Sequence, residues 1–267
     1  MSRRQSSTQT NAGELPSIRV LGTRVHMVEI PGVVEAMDRW IIEEHDNYHH
    51  IVNSGMHGIM EAHKDPNLKS IMNTAELFAP DGILMVLVAR IRGFAITKKN
   101  TGPQLLWEFG RVANKKRYSY YLYGDTEQTL RTLETTLKDT FPDLQVVGLH
   151  SPPFRPLTPD EDAAVVSSIN QAAPDVLWVG LGMPQQEIWI ANHREKLNVT
   201  VVVGAGAAFK LLSGEVKRAP SWLRNAGFEW FWRLVSEPKR VWRRVVFDAP
   251  RFIGLVALEL TGLRKYG

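Results

Sequence analysis

Residues 176–197 read VLWVGLGMPQQEIWIANHREKL. The run up to Gly180 has no polar break, which suits a strand buried on both faces of a sheet. It stops at Gly180-Leu181-Gly182, and two glutamines, a glutamate and a helix-spaced stretch follow at once. Strand, glycine turn and helix in that order make one βα unit. A chain reversal needs only the turn. The amides and carboxylate beside it suggest that something binds there.

Three more stretches repeat the pattern: RYSYYLYG (117–124), LQVVGLH (144–150) and VTVVVGAGA (199–207). Helical segments fill the gaps. The helix before Asp175 opens with TPDE, giving Thr158 as N-cap, Pro159 in the first turn and Glu161 at the capping-box position. Upstream, VHMVEI (25–30) reads as a strand and GVVEAMDRWIIEEH (32–45) as a helix. HIVN (50–53) reads as another strand, followed by a helical stretch to about Met72. ELFAPDG (76–82) is a short strand running into Pro80-Asp81-Gly82, and ILMVLVARIRG (83–93) is a mostly buried helix whose β-branched content leaves strand open. Repeated βα units with right-handed crossovers predict a Rossmann-like parallel sheet with helices on both faces.

Ligands of such sheets sit beyond the carboxyl ends of the strands. Four turns fall there: Pro80-Asp81-Gly82, Tyr123-Gly124-Asp125, Gly180-Leu181-Gly182 and Gly204-Ala205-Gly206. Glycine lets backbone N–H groups approach a phosphate, and a following helix adds its N-terminal dipole. Gln185, Gln186 and Glu187 are then donors and acceptors for a hydroxylated ligand. The same glycines could serve the reversal alone. Gly204-x-Gly206 continues into Ala207-Ala208-Phe209 and lacks the third glycine of a dinucleotide fingerprint.

The chain has 267 residues, 44% hydrophobic and 22% charged, and this is room for one large α/β domain or two smaller ones. It has no cysteine, which excludes disulfides, thiolate-bound zinc and thiol catalysis. The polar stretch 1–17 has no apolar core of a signal peptide and is expected to be a disordered tail. Residues 18–216 are expected to form the catalytic α/β domain and 217–267 a helical appendage. No apolar run is long enough to span a bilayer; the best, FIGLVALELTGL (252–263), contains Glu259. A cytoplasmic location is the expectation.

The net charge of +4 is unevenly spread. From Lys217 onward there are eleven Lys and Arg against four Asp and Glu. Trp222, Ala226, Trp230 and Leu234 recur every four residues, as do Leu223, Gly227, Phe231 and Val235, so this stretch is a helix with a broad apolar face. Pro238 breaks it and starts another. Arg233, Lys239, Arg240, Arg243 and Arg244 stand beside Trp230, Trp232 and Trp242. Such a helix suits an anionic membrane surface or a lipid phosphate, and 252–263 could lie flat in the interface. A packed helix with a solvated basic face is the plain alternative. Among the histidines, His49, His50, His57 and His63 lack metal-pair spacing, and no metal site is expected. The loop HSPPFRPLTP (150–159) either edges the pocket or only connects elements.

The segment 176–197, with VVVGAGAAF and SGEVKRAPSWLRNAGFEWFWRLVSEPKRVWRR after it and LFAPDGI and NTGPQLL before it, resembles the WecG/TagA/CpsF family of bacterial glycosyltransferases (glycosyltransferase family 26). The likeness covers about residues 20–250 and is most specific over 175–243. It implies inverting transfer of a sugar from a UDP-sugar to a polyprenyl-diphosphate-linked saccharide in exopolysaccharide or cell-envelope synthesis. The enzyme would sit peripherally at the inner membrane face and need no metal. It implies Asp81 as general base, and Gln186 and Glu187 at the family's Gln and Glu. With Lys99, Gly180, Gly182, Gly204 and Gly206 these would hold the donor. Arg233, Arg240 and Arg243 would meet the diphosphates. Inversion needs one carboxylate to take the acceptor's proton and positive charge for the departing diphosphate, and these residue types supply both.

The chain departs from the family pattern at Lys99 (for Arg), Gln104 (for an acidic residue), Asn53 (near a common Thr), Gly55 (near an Asn) and Lys210 (for Asp). Lysine keeps the charge but loses the bidentate fork. A non-catalytic, membrane-associated paralogue is therefore the competing reading. A nucleotide-dependent oxidoreductase is a weaker one, since neither glycine turn completes the fingerprint. No nucleic-acid partner is expected, because the charge lies along an apolar helix face. Self-association stays open.

Overall fold

The computed structural model describes residues 15–98, 100–216, 219–220, 223 and 229–266. The sheet strands are β3 (His49–Gly55), β4 (Leu77–Asp81), β5 (Ser119–Gly124), β6 (Gln145–His150), β7 (Val176–Gly180) and β8 (Val201–Gly204). They form one sheet in the order β4-β3-β8-β7-β5-β6, and every pairing is parallel. Side chains alternate between faces with the two-residue period of a strand. Ile51, Leu77, Leu122, Trp178 and Val203 pack under α1 (Ile30–Glu43), α5 (Gly102–Lys116) and α6 (Glu127–Thr140). On the other face, Val52 and Phe78 pack with α2 (Met56–Lys64), α3 (Pro66–Thr74) and α4 (Ile83–Ile91), while Leu177 and Val202 pack with α7 (Pro159–Ala172) and α8 (Gln185–Asn192). This is the doubly wound α/β fold. The capping box at Thr158 and Glu161 forms as the sequence predicts.

The N-terminal third differs from its reading. The strand expected over 25–30 is instead β2 (Thr23–His26), which pairs antiparallel with β1 (Ser17–Val20) outside the main sheet. Pro31 in the first turn of α1 sets helical φ early, so Val28 to Ile30 leave the strand. The single helix expected to about Met72 is two. Asp65 caps α3 by accepting from the N–H groups of Asn67 and Leu68, and Pro66 cannot continue α2.

A short helix, α9 (Ala208–Leu212), follows β8. Then come α10 (Glu229–Ser236), α11 (Pro238–Arg243), a π-helical turn (Arg244–Asp248) and α12 (Ala249–Leu260). The stretch expected to lie flat on a membrane is partly core. Phe252 and Val256 of α12 are buried among residues of β2, α2, α3 and α4. The outer face of the same helix, with Ile253, Gly254, Ala257 and Leu258, stays exposed. No helix among the described residues is long and apolar enough to cross a membrane.

Candidate active site

The carboxyl ends of β4, β3, β8 and β7 make one rim. Asp81 closes β4 opposite Gly55 of β3 and forms an isolated parallel bridge with Asn100. A Cβ on Gly55 would collide with the Asp81 carbonyl, so glycine there lets the two strands meet at the base of the site. Asn100 is buried and its Nδ2 donates to the Val28 carbonyl at 2.8 Å. Glu29 secures the preceding loop: its carboxylate accepts from the Thr97 and Lys98 N–H groups at 2.7 and 3.0 Å. Those N–H groups hold the Glu29 carboxyl below the usual carboxylate range. Lys99 lies outside the described residues.

Asn53 stands between Asp81 and the glycine turns. Both its amide atoms are buried, and neither has a hydrogen-bond partner among the described residues. A buried amide left unpaired costs about 1–3 kcal/mol. Such an amide at the end of a parallel strand is what a hydroxyl- or phosphate-bearing ligand would satisfy.

The turns after β7 and β8 are braced to each other. Gln186 and Glu187 point inward from the first turn of α8 and are buried. The Glu187 carboxylate accepts from Gln186 Nε2 at 2.9 Å and from His50 Nε2 at 2.6 Å. Gln186 Oε1 accepts from the Gly206 N–H at 2.9 Å. A Cβ on Gly204 would strike the ends of both side chains, so its glycine makes room for this pair. Gly180 closes β7 against the Phe209 ring, and the Gly182 carbonyl accepts from the Gln186 N–H at 2.9 Å. The sequence reading has Gln186 and Glu187 touching ligand. In the structure both are buried and brace the Gly204–Gly206 turn, while Gln185 is exposed at the rim.

Adjacent strands are about 4.8 Å apart, so Asp81 and the β8 turn, two strands away, are separated by roughly 10 Å across the Asn53 position. Arg233 and Arg240 sit on α10 and α11. Arg243, at the end of α11, is exposed and stacks its guanidinium 5.5 Å over the Trp242 ring.

Sequence reasoning missed His50. No local signal marks it, since its strand, HHIVNSG, carries His49, Asn53 and Ser54 as well. Of the other histidines, His57 gathers with Glu61 and Asp248 within 4.8 Å, joining α2 to the π-helical turn. Lys64 already balances those carboxylates, at 2.9 Å from Glu61 and 3.3 Å from Asp248. Burial, with Arg244 nearby, lowers the His57 pKa to about 4. Lys210, a departure from the family pattern, is matched locally: Asp125 and Glu215 each lie 3.6 Å from its ammonium.

Comparison with known proteins adds to this geometry. The family model for the Glycosyl transferase WecG/TagA/CpsF family matches residues 18–266. The chain is 31% identical over 196 residues to an N-acetylglucosaminyldiphosphoundecaprenol N-acetyl-beta-D-mannosaminyltransferase of Bacillus subtilis (strain 168), covering 73% of this chain and 74% of that protein. A protein of the same name from Staphylococcus aureus (strain MW2) is 24% identical over 248 residues, which cover 93% of this chain and 95% of its own length. The match of the family model over nearly the whole described chain, with the 31% identity to the Bacillus protein, places this protein in the WecG/TagA/CpsF family of glycosyltransferases.

Proposed function

We propose that this glycosyltransferase moves a sugar from a UDP-sugar to a saccharide linked through a diphosphate to a polyprenyl lipid, with inversion and without a metal. The observation that carries the reading is the unpaired Asn53 amide between Asp81 and the Gly204–Gly206 turn. The diphosphate of the donor lies against the backbone of the β7 and β8 turns, and the sugar reaches past Asn53 toward Asp81. Asp81 takes the proton from the acceptor hydroxyl as its oxygen attacks the anomeric carbon. The new C–O bond forms on the face opposite the breaking bond, and UDP leaves with the electron pair. The negative charge that grows on UDP is met by backbone N–H groups and by arginines of the C-terminal helices, with Arg233, Arg240 and Arg243 as candidates.

The acceptor is anchored in a bilayer, so the enzyme works at a membrane surface. Eight of the large exposed hydrophobics lie between Phe231 and Leu263, beside the cationic tail, which supports a peripheral attachment there. The relatives' names put N-acetylmannosamine first among donor sugars to test. The non-catalytic reading rests on the departures, but Lys210 has its own counter-ions here and so leaves no unbalanced charge in the pocket.

Product stereochemistry and chelation test the two finer points. The anomeric configuration of the transferred sugar, read by NMR, should be opposite to that of the donor; retention overturns the single-base mechanism. Transfer should proceed unchanged in excess EDTA. A loss restored by Mg²⁺ would mean that a cation, rather than arginine, meets the leaving group.

A further inference from the structure

The helix that begins two residues after Asp81 exposes an apolar stripe. On α4, Ile83, Leu87 and Ile91 fall at i, i+4 and i+8, one line along the helix, and are 41, 45 and 67% exposed. The opposite face, with Met85, Val86, Val88 and Ala89, is buried in the core. This helix therefore carries apolar side chains on both sides, and among the described residues only one side is covered by protein. Beyond Asp81 no acidic residue occurs until Glu108, while Arg90, Arg92, Lys98 and Lys99 do. The helix neighbours the C-terminal helices: α4 and α12 share one core cluster, and Arg92 lies 3.7 Å from Glu259. On the outer side of α12, Ile253 and Leu258 are exposed as well.

We propose that α4 is a membrane-docking helix, with Ile83, Leu87 and Ile91 set into the interface of an anionic bilayer and its basic flank on the headgroups. The inference rests on the membrane-bound acceptor of the proposed function and adds a second contact, built into the catalytic domain itself. Charge selects the occupant. Two copies of this chain meeting through α4 would bring like charges together, whereas anionic headgroups complement them. Geometry supplies the purpose. The stripe is about 12 Å long and starts beside Asp81. An interfacial helix sinks about 5–10 Å into the headgroup region. Docking through α4 thus holds the base at the depth where a lipid-linked diphosphate presents its sugar, and the lipid need not leave the bilayer.

The absence of native cysteine allows a direct test on the full chain. An environment-sensitive fluorophore is attached at Leu87→Cys and, as a control, at Ile42→Cys on α1 of the opposite sheet face. On vesicles of phosphatidylglycerol and phosphatidylcholine, the Leu87 probe should shift to the blue and be quenched by nitroxides on the acyl chains. The Ile42 probe should not. In parallel, the double substitution Leu87→Glu with Ile91→Glu should weaken vesicle binding about tenfold per site. Transfer to a short-chain, water-soluble acceptor should be unchanged. A vesicle-bound protein whose Leu87 probe stays in water overturns the docking helix and leaves the proposed function intact. A blue shift that grows with protein concentration without vesicles overturns it in favour of a second copy. No vesicle binding at all overturns it together with the membrane part of the proposed function.

Discussion

Asp81 is held by its backbone on both sides, by Gly55 of β3 and by the bridge to Asn100. Its side chain can therefore change without moving the strand. Asp81→Asn is expected to lower the transfer rate by roughly 10²–10⁴-fold, the range for a general base, while UDP binding by calorimetry stays within about twofold of the wild type. Asn53 makes a sharper test, because stability and activity should move in opposite directions. Replacing an unpaired buried amide by an apolar group of similar shape removes a desolvation penalty. Asn53→Leu should raise stability by about 1–2 kcal/mol in denaturant melts and lower kcat/KM at least tenfold. A variant that is less stable yet fully active would show the amide to be structural. Asp81 was legible as an Asp-Gly turn residue, and only the family resemblance made it a base. Asn53 was legible only as a departure from the family. That its amide has no partner among the described residues depends on its neighbours in space, which no local pattern contains.

The unit that shapes the pocket is the brace between β3, α8 and the β8 turn. His50 lies far along the chain from the adjacent pair Gln186 and Glu187, yet each of the three fills a hydrogen-bonding place left by the next. Removing one member leaves a buried polar group without its partner. His50→Ala is expected to cost about 1–3 kcal/mol in chemical denaturation, because it leaves the buried Glu187 carboxyl without this hydrogen-bond partner. Gly204→Ala pushes a methyl into the same pair and should also destabilise, by about 1–3 kcal/mol. Gly254→Ala is its counterpart. It sits inside α12 with open space around it and should stabilise by about 0.5–1 kcal/mol. The turns themselves were readable as glycines after apolar runs. Which way Gln186 and Glu187 face was not, because that depends on the helix starting at Gln185. From that start, positions 186, 187 and 190 fall on the inner side. The 25–30 strand failed for a related reason: a proline at the helix start outweighed the strand tendency of Val25, Val28 and Ile30.

For the molecule as a whole, the parallel sheet was the most legible part, since burial on both faces writes near-continuous apolar strands. The C-terminal helices were the least. Their apolar residues divide between the core and an exposed surface, and a single periodicity cannot say which receives which. Phe252 is fully buried, so Phe252→Ala should cost about 3–5 kcal/mol, and the chain without α12 should unfold or aggregate. Acid should act on the same body. Burial first, and Arg24 second, lower the His26 pKa to about 4, and its Nδ1 accepts from the Phe78 N–H. The unfolded chain binds this proton from about pH 6.5 downward, whereas the fold resists it to about pH 4. Stability is therefore full above about 6.5 and falls as pH drops through that window, by up to about 3 kcal/mol. His26→Gln should flatten the acid limb of a plot of melting temperature against pH.

The central claim is that Asp81 drives sugar transfer from a UDP-sugar to a lipid-linked acceptor. The most direct measurement follows label from a panel of UDP-sugars, N-acetylmannosamine included, into a defined polyprenyl-diphosphate-linked saccharide. The purified full chain is run beside Asp81→Asn. The account predicts transfer from one donor by the wild type, and its loss in a variant that still folds and binds UDP. Undiminished transfer by Asp81→Asn would contradict it. So would the absence of transfer from every donor when a relative of the same family is active on the same acceptor.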